Sequence, residues 1–139
     1  MTRIPTVHVH EEARSGGVVA FVTLENIRKL NVLNSSLMAA FAAAMARLSI
    51  REDLRAVVLT GAGDLAFVGG ADVNEMADLA GPEAARAFIT KVHDSCAAVR
   101  DCPVPGIVRI GVWALGGGLE LAGSCDLRIA SDNAMFGMP

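Results

Sequence analysis

Glu120 lies just behind a glycine triplet, Gly116-Gly117-Gly118, and this pairing of residue types can do chemistry. Glycines permit backbone conformations and close approaches that a Cβ would obstruct. If a helix begins at this turn, its first amides lack partners inside the helix and carry the positive end of its dipole. Such amides can hold an oxygen on which negative charge develops. Glu120, in the first turn and in a mostly apolar setting, would sit beside that oxygen as a carboxylate tuned for proton transfer. The plainer reading is a tight strand-to-helix turn with Glu120 as a favourable first-turn acid. This stretch alone leaves both open, because a lone glycine loop is weak evidence.

A second turn repeats the pattern. Phe67-Val68-Gly69-Gly70-Ala71-Asp72 precedes a short helix expected over residues 73–79, whose free amides are again candidates for an anion. Two such turns and one acid suggest a carbonyl oxygen gripped from two sides, with a proton moving at the neighbouring carbon. That is enolate chemistry.

The surrounding elements must place these turns. An apolar run over residues 104–110 reads as a buried strand leading to the triplet, and residues 55–60 as another, covered on both faces. Gly61-Ala62-Gly63-Asp64 ends the latter; Ala66 stands where a dinucleotide fingerprint needs glycine, and there is no GK[ST] phosphate loop. Residues 7–10 and 18–24 form a hairpin across the charged, glycine-containing residues 11–17. His8 and His10 share a face of its first strand, a spacing able to ligate a metal. No third ligand lies nearby, so an exposed strand face is preferred and no metal site is assigned. Arg28 and Lys29 read as solvated loop charges in preference to a phosphate site.

Asn34 or Ser35 caps a helix whose stripe is Met38, Phe41, Met45 and Leu48. Gly81-Pro82-Glu83 opens another, striped by Ala85, Phe88 or Ile89, Val92, Cys96 and Val99, with His93 packed or half-exposed beside it. Asp101-Cys102-Pro103 breaks that helix, and residues 127–130 make a further short strand. No internal repeat is visible. Strands alternating with helices predict an α/β sheet with helical crossovers, and both glycine turns follow strands, where crevices open in such folds.

The chain has 139 residues, 53% hydrophobic and 19% charged, which is material for one domain with a sizeable core. A net charge of -3 without a long basic run argues against nucleic acid as a partner. Cys96, Cys102 and Cys125 make no CxxC pair and read as reduced, buried thiols of a cytosolic protein. Residues 1–5 lack the apolar segment of a signal peptide, and no stretch reaches the ~20 apolar residues that span a bilayer. The expectation is a soluble, cytoplasmic protein with no membrane partner.

Taken in order, several segments resemble the crotonase family, the enoyl-CoA hydratases and isomerases. They are Asn31-Val32-Leu33-Asn34, Arg55-Ala56-Val57-Val58-Leu59-Thr60-Gly61-Ala62-Gly63 and Ala66-Phe67-Val68-Gly69-Gly70-Ala71-Asp72-Val73. Ala114-Leu115-Gly116-Gly117-Gly118-Leu119-Glu120-Leu121-Ala122, Cys125-Asp126-Leu127-Arg128-Ile129-Ala130 and Phe136-Gly137-Met138-Pro139 follow. The resemblance implies an α/β fold of ββα repeats wound as a spiral, with residues 1–139 as an incomplete core domain cut short before the C-terminal trimerisation helices. It implies an acyl-CoA thioester substrate, coenzyme A being part of the substrate so that no separate cofactor is needed. The oxyanion hole would be the amides of Ala71 and Gly117, and Gly69, Gly70, Asp72 and Val73 would shape the first loop against the pantetheine end. Glu120 matches the glutamate that orients and activates water in hydratases. A homotrimer or a dimer of trimers is implied for the full-length protein.

Three departures accompany the resemblance. Gly69 replaces the usual alanine. Gly111-Val112-Trp113 stands where Asn-Gly-Tyr is common, with Trp113 either narrowing an acyl pocket or filling core. The second catalytic glutamate of hydratases follows Phe-Gly-x-Pro directly, and this sequence stops at Pro139, so a longer protein is expected. The leading expectation is an enoyl-CoA hydratase. An enoyl-CoA isomerase or other acyl-CoA lyase of the same fold is the alternative, and a non-catalytic assembly subunit is the alternative of another class.

Overall fold

The computed structural model describes residues 4–139; the reading of the first three residues lies outside them. Strand β1 (Thr6–Arg14) and strand β2 (Gly17–Glu25) form an antiparallel hairpin closed at Arg14↔Gly17. The loop expected over residues 11–17 shrinks to Ser15-Gly16, because an edge strand's ladder tolerates outward charged side chains and so continues through Glu11 and Glu12. Gly17 is required where it stands: its φ is +146°, and a Cβ there would meet Asp53 O at 2.3 Å.

Beyond the hairpin the sheet becomes parallel. Strands β3 (Leu54–Gly61), β5 (Gly106–Ile110) and β7 (Leu127–Ala130) extend it in the order β1-β2-β3-β5-β7. A second, parallel sheet is made of β4 (Ala66–Val68), β6 (Trp113–Leu115) and β8 (Met135–Gly137), in the order β4-β6-β8. Helices α1 (Ser35–Ser49), α2 (Val73–Ala77), α3 (Gly81–Arg100) and α4 (Gly117–Ser124) close the turns. Two strands followed by a helix therefore recur along the chain. The repeat is one of structure, which is why no sequence period betrays it.

The core lies between the sheets and the helices, where Val22, Leu24, Phe41, Met45, Leu59, Phe67, Val108 and Leu121 are buried. The stripe of α1 is buried throughout, and Asn34 caps it by accepting from Leu37 N at 2.8 Å. Each fully buried side chain of this size is worth about 1.5–3 kcal/mol. In α3 the stripe is Phe88, Val92, Cys96 and Val99, with Phe88 buried and Ile89 exposed; Ala85 is exposed, since none of the helix's first seven residues is buried. His93 is exposed rather than packed. The strand before the triplet starts at Gly106 rather than residue 104, and α2 stops at Ala77. Strand β6 is too short to declare itself by periodicity; its partners β4 and β8 make it a strand.

Candidate active site

The two glycine turns meet because the strands that feed them are neighbours. β4 and β6 pair in parallel, Ala66 with Trp113 and Val68 with Ala114, so both chains leave the sheet at the same edge. Loops at the C-terminal ends of adjacent parallel strands bound a crevice. At Gly70 φ is +123° and at Gly116 it is +50°, conformations that favour glycine. The loops nearly touch. A Cβ at Gly116 would lie 3.8 Å from Gly70 Cα, and one at Gly117 would lie 3.8 Å from Ala71 N.

Peptide planarity settles which way the amides face. Leu33 N donates to Gly70 O at 2.8 Å and Asp72 N donates to Leu33 O at 2.9 Å, a parallel bridge centred on Ala71. A trans peptide points its N–H opposite its carbonyl, so with Gly70 O turned toward Leu33, Ala71 N–H faces away from it. The same holds across the triplet: Gly116 O accepts from Glu120 N at 3.0 Å, along α4, so Gly117 N–H points out of the helix start. Among the described residues neither amide donates a hydrogen bond to the protein. Two unpaired donors on separate loops thus lie close together at one edge.

The remaining loop residues have distinct roles. Asp72 is buried, and its Oδ1 accepts from Asn74 N (2.9 Å) and Glu75 N (3.2 Å), capping α2; Lys29 Nζ lies 3.4 Å from its Oδ2. Lys29, on a 3-10 turn over Ile27–Lys29, is an exposed loop charge as expected and pairs with this loop. Gly69 N donates to Leu30 O at 2.8 Å, and Val73 is exposed. Asn31, buried and at φ +55°, donates to Ala62 O (2.9 Å) and Ala66 O (3.0 Å) and accepts from Asn26 N (2.8 Å). It staples the strap before α1 to both ends of the turn leading into β4.

Glu120 corrects one expectation. It sits one helical turn beyond Gly117, on the same face of α4, but it is exposed rather than set among apolar groups. Its α4 neighbours on that side are the small Gly123 and Ser124, which do not cover it. With His93, Cys96 and Arg100 of α3 it lines an open groove of about 400 Å³ between the two helices. A separate cavity of about 420 Å³, lined by Thr60, Asp64, Arg109 and Ser131 among others, opens at the C-terminal ends of β3, β5 and β7; neither converging amide lines it.

His8 binds Glu25 across the hairpin and His10 lies beside Phe21 and Glu12. Among the described residues no group of three or more His, Cys, Asp and Glu could hold a metal ion, and no helix is long and apolar enough to cross a membrane. Trp113 is half-buried in β6. The residue that sequence reasoning missed is Glu75, which binds Ser35 of α1. Its visible signal was the Asp72-Val73-Asn74-Glu75 spacing of a helix start.

A profile of the family described as enoyl-CoA hydratase/isomerase matches residues 14–139. The chain belongs to that family, within the crotonase superfamily. It is 40% identical over 134 residues to a probable enoyl-CoA hydratase, echA8, of Mycobacterium bovis, covering 96% of this chain and 49% of that protein. To the short-chain-enoyl-CoA hydratase of Clostridium acetobutylicum it is 39% identical over 123 residues, covering 88% of this chain and 47% of that one. Its fold superposes with a TM-score of 0.87 and 35% identity on an enoyl-CoA hydratase/carnithine racemase from Magnetospirillum magneticum, covering 99% of this chain and 50% of that structure. The chain spans about half the length of the curated relatives it matches. The crotonase-family fold read from the motifs is therefore the fold of this chain.

Proposed function

We propose that this chain carries the enolate-stabilising half of an enoyl-CoA hydratase, adding water across the C2–C3 double bond of a 2-enoyl-CoA thioester. The observation that carries the reading is the pair of unpaired amides, Ala71 and Gly117, converging from loops on adjacent parallel strands. Both would donate to the thioester oxygen. Water attacks C3, the C2–C3 π pair moves toward the carbonyl carbon, and the carbonyl π pair collects on the oxygen as an enolate. The water gives up a proton, C2 then takes one, and the carbonyl re-forms, so one molecule of water is consumed and no oxidant is needed. Glu120 would hold that water and take its proton. The proton for C2 would come from the second glutamate, which the resemblance places directly after Pro139.

Ala71 and Gly117 act through their backbone donors, so a side chain at either position matters only through the space it takes in front of those amides; losing one such donor typically costs ~10²–10³ in rate. Gly69, Gly70, Asp72 and Val73 would shape the loop against the pantetheine arm. Coenzyme A belongs to the substrate, and the scheme requires no other cofactor. A trimer or a dimer of trimers is the assembly proposed for the full-length protein, and the cytoplasm its site. Loss of the enoyl absorbance of crotonyl-CoA tests the reading: turnover supports it, and binding of the thioester without turnover by the full-length protein refutes it. Production of a 2-enoyl from a 3-enoyl thioester, with crotonyl-CoA left unhydrated, would identify the isomerase alternative.

A further inference from the structure

We propose that Glu75 is a positioning residue for the Ala71 amide, acting from α2 through Ser35 and the Leu33–Ala71 bridge; the inference rests on the oxyanion role given to Ala71 above. α2 has five residues, too few to hold its own place by helix propensity. A glutamate three residues after a capping Asp ordinarily reaches back to the cap's own amide. That position is taken here, because Asp72 N already donates to Leu33 O at 2.9 Å. Glu75 turns outward instead, to α1. Its Oε2 accepts from Ser35 N at 2.8 Å and its Oε1 accepts from Ser35 Oγ. Ser35 N is an amide at the start of α1 without a partner inside that helix, where a carboxylate is favoured.

The three-residue strap 33–35 is thus bonded to the 70–75 segment at both ends: by the two backbone bonds flanking Ala71, and by Glu75. The backbone bonds set the direction of Ala71 N–H, since they turn Gly70 O toward the strap. Glu75 fixes the strap against the same loop and keeps those bonds in register. α1, anchored in the core by Phe41 and Met45, becomes the fixed body against which the donor is aimed. No residue of the clasp needs to touch the substrate.

Ser35→Pro and Glu75→Ala test the clasp from its two sides. Proline is favoured at the first position of a helix, and Asn34, at ψ 171°, has the extended backbone that a residue before proline adopts, so Ser35→Pro removes both donors while leaving α1 folded. Both variants should lower kcat for 2-enoyl-CoA hydration about tenfold or more, with KM within about twofold and the thermal midpoint nearly unchanged. Glu75→Gln keeps an acceptor for Ser35 N and should recover part of kcat. Amide exchange at Leu33 and Asp72, which reads the bridge without any turnover, should quicken in both variants. Unchanged kcat, a loss confined to KM, or unchanged exchange at Leu33 and Asp72 would overturn the proposal. If the parent protein hydrates no enoyl thioester, the hydratase reading fails, and the exchange rates alone decide whether Glu75 holds the loop.

Discussion

Two consecutive glycines separate what the fold requires from what the chemistry requires. A Cβ on Gly118 would lie 2.1 Å from Val68 O and 2.9 Å from Val68 Cβ, so Gly118→Ala forces α4 and β4 apart. Overpacking of this kind costs about 1–3 kcal/mol, and contact with a backbone oxygen, which cannot swing aside, puts the cost at the upper end. For a domain of this size that is a fall of roughly 10 °C in the melting midpoint. Gly117→Ala differs entirely. Its Cβ would meet Leu33 Cδ1 at 3.6 Å and Ala71 N at 3.8 Å, ordinary contacts that the fold accepts. The new methyl, however, stands between the two loops, beside the point where an oxygen must approach both amides. Thermal melts and crotonyl-CoA hydration should therefore part company: Gly118→Ala melts early, whereas Gly117→Ala melts like the parent and loses about 10²-fold in kcat, the scale of one donor. A Gly117→Ala protein with parental turnover would refute the two-amide oxyanion hole.

Other outcomes follow from the same structure. Glu120→Gln, at an exposed residue whose carboxylate makes no hydrogen bond among the described residues, should leave the melting midpoint unchanged and cut hydration about 10²-fold or more; equal rates would remove its role. Asn31→Ala strands Ala62 O, Ala66 O and Asn26 N together at a buried site and should destabilise by about 2–4 kcal/mol, measured by urea unfolding. The half-buried Cys102 should react first with a thiol reagent, and Cys125 last, because burial pushes its thiol up from 9.0 to about 12. The folded protein keeps that proton while the unfolded chain loses it above pH 9, so stability should fall as pH rises from 9 toward 12; the slope should flatten in Cys125→Ala.

Much of the scaffold was readable because its signals are local. The stripe of Met38, Phe41, Met45 and Leu48 predicts its own buried face, and Asn34 at the head of that stripe is the cap. Where reading failed, the deciding partner was distant. β6 has no period of its own and exists because β4 and β8 flank it. Ala85 fits the helical stripe, yet none of the first seven residues of α3 is buried; the stripe's inward side begins at Phe88. Glu75 carries the spacing of a helix start, and only the prior claim of Leu33 O on the cap amide redirects it to Ser35.

By itself the sequence determined two glycine turns after apolar strands, a first-turn acid, and enough ordered motifs to name the family. Glycine's freedom and an amphipathic stripe depend on residues within a turn or two, so they can be read along a chain. Tertiary structure alone decided that the Ala71 and Gly117 amides lie close together and unpaired, because this depends on β4 lying beside β6 and on Leu33 turning the peptide before Ala71. It also decided that Glu120 stands in an open groove, since exposure is a property of what packs around a residue and not of the residue.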